Sequence, residues 1–179
     1  MPGDFSGIQA KYQGAKAVAL FVSTYENKVD KKGRVSVPAA FRKALEGEAF
    51  DGIYCFLSLN KPCIQSGGQS YIEMLQSAIE QEFDPLSDEQ DDFATTLLSG
   101  STPLALDGDG RVTLTKNLID LGRFGDSVLF AGMGGFFEIW EPKAFAAHQA
   151  QARTRTAAKR TLLVRPRKPA SAAGEGAGE

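Results

Sequence analysis

Apolar and polar positions along the chain change period several times, and each change marks a predicted element. Phe21, Val22, Thr24, Tyr25 and Val29 predict a strand within 20–29. Val35 and Val37 flank polar Ser36 and predict a second, short strand. Pro38 then suits a helix start, because its missing N–H has no partner to lose there. Phe41 and Leu45, with Gly47 beyond them, predict a helix over 39–46. Runs at 53–58 and 63–65 predict a hairpin turning through Asn60-Lys61-Pro62. Ile72, Leu75, Ile79 and Phe83 keep helical spacing, which Asp84-Pro85 ends. Ser87, with Gln90 three residues on, resembles a capping box, and Phe93, Leu97 and Leu98 mark the second helix of a pair. Further strands are predicted at 104–107, 111–114, 128–131 and 136–140, with the last two joined through Gly132-Met133-Gly134-Gly135. Pro142 opens a final helix predicted to run through His148.

One stretch occurs twice. Asp30-Lys31-Lys32-Gly33-Arg34-Val35-Ser36-Val37-Pro38 is answered 77 residues later by Asp107-Gly108-Asp109-Gly110-Arg111-Val112-Thr113-Leu114-Thr115. In both copies Asp can accept from backbone amides just ahead of it, and Gly can take a positive φ without strain. Asp30, Gly33, Asp107 and Gly110 are therefore read as turn-makers. Thr115 replaces Pro38 as an N-cap. The register continues: Phe41 answers to Leu118, Ala44 to Leu121, Ile53 to Val128 and Ile64 to Ile139, after a shortening of two residues. A match of this length implies two copies of one fold unit.

Composition narrows the classes. The 179 residues include 42% apolar ones, enough for a core, and no window approaches a membrane span. The first residues lack a basic region followed by an apolar run, which leads to an expectation of cytoplasmic location. Two cysteines, Cys55 and Cys63, are too few for a disulfide scaffold and are read as buried thiols. The acids Asp88, Glu89, Asp91 and Asp92 suit a helix N-terminus and lack calcium-loop spacing. With one histidine and no clustered ligands, no enzyme, metal or cofactor is expected. The net charge of −2 hides an asymmetry: residues 153–179 carry +5 and residues 1–152 carry −7. Such a tail on an acidic body suits nucleic acid.

Lys31, Lys32 and Arg34 gather at the first turn. Cations on a β-ribbon tip can neutralise phosphates, and an arginine can reach guanine with two donors. A solvated hairpin tip, or an arginine tied to an acid of its own turn, are the plainer readings. The copies also differ in charge. Residues 26–34 hold four cations and two acids; residues 103–111 hold one cation and two acids. If one of the turns meets DNA, charge favours the first, with Lys28, Lys31, Lys32 and Arg34 as its DNA-binding residues. Arg111 is expected to be a structural partner or a secondary contact.

The two D-x-x-G-R turns, each followed by a strand and short helix and separated by a helical pair, resemble the MraZ family of bacterial regulators. The resemblance covers about residues 20–150. It implies a β-rich α+β fold of duplicated AbrB-like swapped-hairpin units, forming a pseudo-twofold barrel. The layout expected is a flexible extension at 1–19, a first repeat at 20–68, helices at 69–100, a second repeat with its final helix at 101–152, and a disordered basic tail at 153–179. It further implies a ring homo-oligomer binding repeated elements of double-stranded promoter DNA. Such a protein is a nucleoid-associated repressor of the division and cell-wall gene cluster containing its own gene, with no membrane or small-molecule partner. The alternative is a module that uses the same surface only for protein contacts.

Overall fold

The structure, a computed structural model, describes residues 20–159. Two compact units are distinguished, with the division after Phe145. The second, over its described residues, continues the final helix.

The first repeat opens with β1 (Thr24–Lys28) and β2 (Arg34–Ser36), then α1 (Ala39–Ala44), β3 (Gly52–Leu57) and β4 (Ile64–Gly67). Helix α2 (Gln69–Glu82) and helix α3 (Asp88–Phe93) follow. The second repeat supplies β5 (Thr102–Ala105), β6 (Arg111–Thr113), α4 (Lys116–Gly122), β7 (Ser127–Gly132) and β8 (Phe137–Trp140). Helix α5 (Pro142–Ala158) closes the described chain.

The strands form a six-stranded antiparallel sheet, ordered β1-β7-β8-β4-β3-β5, and a two-stranded ribbon of β2 with β6. Each repeat's first strand thus borders the other repeat's hairpin: β1 lies on β7, and β5 lies on β3. Equivalent residues meet where the repeats join. Ile64 is the register partner of Ile139, and Val35 of Val112. That pairing is what a twofold relation between the copies requires.

The expected barrel is not closed. β1 and β5 are the sheet's edges and do not pair with each other. The tight turns after them carry the chain off the sheet, and β2 and β6 find each other instead. Val37 N donates to Gly110 O at 3.0 Å and Leu114 N to Gly33 O at 2.9 Å, so each ribbon strand runs into the opposite turn. Between β1 and β2, the Asn27 amide donates to the Ser36 carbonyl at 2.7 Å, a side chain bridging where a full ladder is missing.

Sheet alternation covers both faces. Ile53, Cys55, Val128, Phe130, Phe137 and Ile139 point to one side and form the main core with Val35, Val112, Phe41 and Leu118. Phe41 of α1 is at its centre, with ring centroids 5.2 Å from Phe21 and 5.1 Å from Phe137. On the other face Phe56 packs with Tyr71, Ile79 and Leu97 from the helical pair. Cys63, Ala131 and Trp140 form a third cluster with Phe145. The two cysteines are buried free thiols, both pushed up to about 12 by burial.

Glu138 is the charged group inside this layer, 1% exposed. Its carboxylate accepts from Lys61 Nζ and, at 3.0 Å, from Trp140 Nε1. A buried carboxylate is tolerated only with such partners. The bond ties the β3–β4 turn of one repeat to β8 of the other.

Several boundaries differ from the sequence expectation. The first strand is interrupted at Ser23, whose φ of 72° separates β1 from an isolated bridge between Phe21 and Gly134. The second helix is capped by Ser87, whose Oγ accepts from Gln90 N at 3.2 Å. It then widens into a π-helix at Ala94–Ser99. Helix α5 passes His148 and ends at Ala158, so Arg153 and Arg155 are helical. The remainder of the basic tail from 160 onward, and the extension at 1–19, lie outside the described residues.

Candidate nucleic-acid interface

The two turns share one construction. In the first, Asp30 Oδ1 accepts from Lys32 N at 2.8 Å and Arg34 N at 2.9 Å. In the second, Asp107 Oδ1 accepts from Asp109 N and Arg111 N, both at 2.9 Å. Gly33 N donates to Asp30 O and Gly110 N to Asp107 O, both at 2.9 Å. Gly33 has φ 79° and Gly110 φ 72°, the left-handed conformation the sequence chemistry requires. Asp30 and Gly33 thus close the first turn and Asp107 and Gly110 the second with the same set of bonds.

The arginines are held differently. Arg34 Nε lies 2.7 Å from Asp30 Oδ2. Arg111 Nη2 lies 3.3 Å from Asp109 Oδ2, and Asp109 is 70% exposed. Each arginine is thus paired with an acid of its own turn, as the plainer reading has it. Pairing through Nε still leaves Arg34 its Nη donors, since a guanidinium carries five N–H groups. The Arg34 amide, then its side chain, then the Lys32 amide hold the Asp30 carboxyl down at about 2. Asp107 is lowered likewise, first by the Arg111 amide, with the charges of Arg111 and Arg34 both contributing. The field of the first turn's arginine reaches the second turn's acid.

The ribbon explains that reach. Opposed residues of an antiparallel pair project to the same side. Arg34 faces Thr113, and Ser36 faces Arg111. These four side chains form the ribbon's outer face, while Val35 and Val112, each 1% exposed, form its inner face. Arg34 and Arg111 are diagonal neighbours, at a backbone spacing of roughly 7–8 Å typical of that position. Lys31 and Lys32 are exposed at the tip beside them. Lys28 is set apart, lining an open cleft with Glu26, Asn27, Val29, Asp126 and Ser127. The structure thus gathers Lys31, Lys32, Arg34 and Arg111, and leaves Lys28 near two acids.

One cation at this surface was not among the sequence candidates. Arg42, exposed on α1, donates from Nε to the Val37 carbonyl at 3.2 Å. Its guanidinium lies over the second turn: a Cβ built on Gly110 would be 2.6 Å from Arg42 Nη1. The repeat register held the signal, since Arg42 answers to apolar Ile119.

A chain whose two copies of a strand–turn–strand–helix unit each complete the other's sheet is a duplicated β-rich α+β protein. The model of the family described as "MraZ protein, putative antitoxin-like" matches it twice, at residues 20–94 and 97–165. The chain belongs to the MraZ family. It is 42% identical over 144 residues to a protein of Pelagibacter ubique (strain HTCC1062) named "Transcriptional regulator MraZ", covering 80% of this chain and 92% of that one. A protein of the same name from Rickettsia bellii (strain OSU 85-389) is 42% identical over 145 residues, covering 80% and 96%. One from Caulobacter vibrioides (strain NA1000 / CB15N) is 41% identical over 135 residues, covering 75% and 85%.

Proposed function

We propose that this protein is a sequence-specific DNA-binding transcriptional regulator, built on AbrB-type swapped hairpins. It represses the division and cell-wall gene cluster that contains its own gene. The observation that carries the reading is the ribbon: Arg34 and Arg111 share one exposed face, with Lys31 and Lys32 at its tip. The names of the relatives support the regulatory class. The first turn makes the principal contacts, through Lys31, Lys32 and Arg34, with Lys28 behind them. Arg111 is a secondary contact. The basic stretch 153–179 adds sequence-independent phosphate contacts. The protein works in the cytoplasm, on the nucleoid.

One ribbon gains little alone. Fixing several together raises apparent affinity by ~10²–10⁴. A ring of identical chains reading repeated short elements fits that need. The test is binding of the full chain to duplex DNA from upstream of its own gene, with light scattering on the same sample. The expected result is an oligomer that binds the intact duplex and loses it sharply when all but one repeat is scrambled. Monomer at micromolar concentration, or equal binding to scrambled DNA, would overturn the ring or the specificity respectively.

A further inference from the structure

We propose that Arg42 is a phosphate contact, lent by the first repeat to the second turn, and that this contact lets the second turn lie against DNA. The inference rests on the DNA-binding reading above and adds a residue to it.

The two turns are unequal in charge. The first carries Lys31, Lys32 and Arg34. The second has Gly108 and Asp109 in place of the two lysines, so residues 103–111 carry a net −1. Yet the second turn cannot be kept away from a duplex seated on the first. Arg34 and Arg111 stand on the same face of one ribbon, and the Arg34 charge is felt at Asp107. Phosphates within about a Debye length, ~8 Å, would be repelled by the exposed Asp109 carboxylate.

Arg42 supplies the missing cation. The ribbon's antiparallel pairing puts each repeat's short helix beside the other repeat's turn. Ile119 Cδ1 lies 3.6 Å from where a Cβ on Gly33 would be, an apolar cover for the turn already rich in cations. At the equivalent place on the second turn lies Arg42, with Nη1 and Cδ each 2.6 Å from the Gly110 Cβ position. Its Nε is occupied by the Val37 carbonyl, which fixes the side chain's direction and leaves the Nη donors. No carboxylate among the described residues forms an ion pair with it. A guanidinium so placed, exposed and held by a backbone oxygen, is suited to a phosphate oxygen. Counting it, the second turn changes from −1 to neutral.

A purely structural Arg42, tying α1 to the Val37 carbonyl, is the competing account, and salt dependence separates the two. The experiment measures affinity of the full chain for the duplex upstream of its own gene, and for a scrambled duplex of equal length, at several salt concentrations. Arg42→Ile installs the side chain found at position 119. It is expected to weaken binding to both duplexes alike and to flatten the slope of log K against log salt by roughly 0.9. Arg42→Lys is expected to keep the slope, and Arg42→Gln to lose it, which carries the test should Arg42→Ile fold poorly. Wild-type slope and affinity in Arg42→Ile and Arg42→Gln, with Arg34→Ala impaired, would overturn this inference alone. Absence of salt-dependent binding in the wild-type protein would overturn the DNA-binding reading and this inference with it.

Discussion

Val35 and Val112, equivalent residues of the two repeats, are direct partners across the β2–β6 ribbon. Their burial turns the neighbouring arginines, Arg34 and Arg111, to the outside on one face. The spacing between the two arginines is therefore set by a strand register, not by loop flexibility. Arg111→Ala is predicted to weaken DNA binding less than Arg34→Ala. It is also predicted to cost no more than about 1 kcal/mol of stability, because its ion pair is with an exposed acid. Denaturant unfolding and DNA titration of the two variants check this. A large stability loss with unchanged DNA affinity in Arg111→Ala would show that Arg111 is structural.

Glu138 and Lys61 make a different prediction, about the body of the fold. Glu138 is buried, and Lys61 is its cationic partner. Lys61→Met leaves the buried carboxylate without its counter-charge, with only the Trp140 Nε1 bond remaining among its described partners, and the expected cost is roughly 3–5 kcal/mol. Adding Glu138→Gln removes the stranded charge and should recover part of it. Equilibrium unfolding of the single and double variants measures the coupling. Equal stability of the single variant and wild type would show that Glu138 finds another partner.

The turns predict an acid response. Asp30 is lowered from an ordinary 3.8 to about 2, chiefly by the Arg34 amide and side chain. A lowered carboxyl stabilises the fold above its unfolded value, and this is lost as pH falls from 3.8 through about 2. Asp107 is shifted in the same direction. Asp30→Asn should therefore lower the thermal midpoint near neutral pH, and the gap to wild type should close toward about pH 2. A gap independent of pH would assign the loss to geometry instead of charge.

Gly33 and Gly108 should respond unequally to alanine. At Gly33, φ is 79° and a Cβ would sit 2.8 Å from the Leu114 carbonyl oxygen. At Gly108 nothing lies within 4 Å of the added atom. Gly33→Ala is expected to cost at least about 1–2 kcal/mol from the left-handed backbone alone, and Gly108→Ala to be close to neutral. Thermal unfolding of both variants is the check.

What the sequence made legible was local. Asp30 and Gly33 declare their turn because the chemistry that closes it lies within five residues. The repeat exposed the second turn by the same logic. Pairing between strands distant in sequence was not legible: nothing in the pattern of 24–28 says that its partner is β7 and not β2. Helix α5 outran its expected end because its Ala, Gln and Arg residues favour helix without an apolar stripe to mark it. The placement of Arg42 was not legible because it lies over Gly110, 68 residues away, and only the folded ribbon brings them together.

Arg34 is proposed to grip DNA from the first turn, and its exposed ion pair with Asp30 is not needed to hold the secondary structure together. Affinity of wild type and Arg34→Ala for the duplex upstream of the protein's own gene, measured across salt concentrations with circular dichroism on the same samples, tests it most directly. The expected result is wild-type affinity that falls steeply with salt, specific binding lost in Arg34→Ala, and unchanged circular dichroism. Wild-type affinity in a folded Arg34→Ala protein would contradict it.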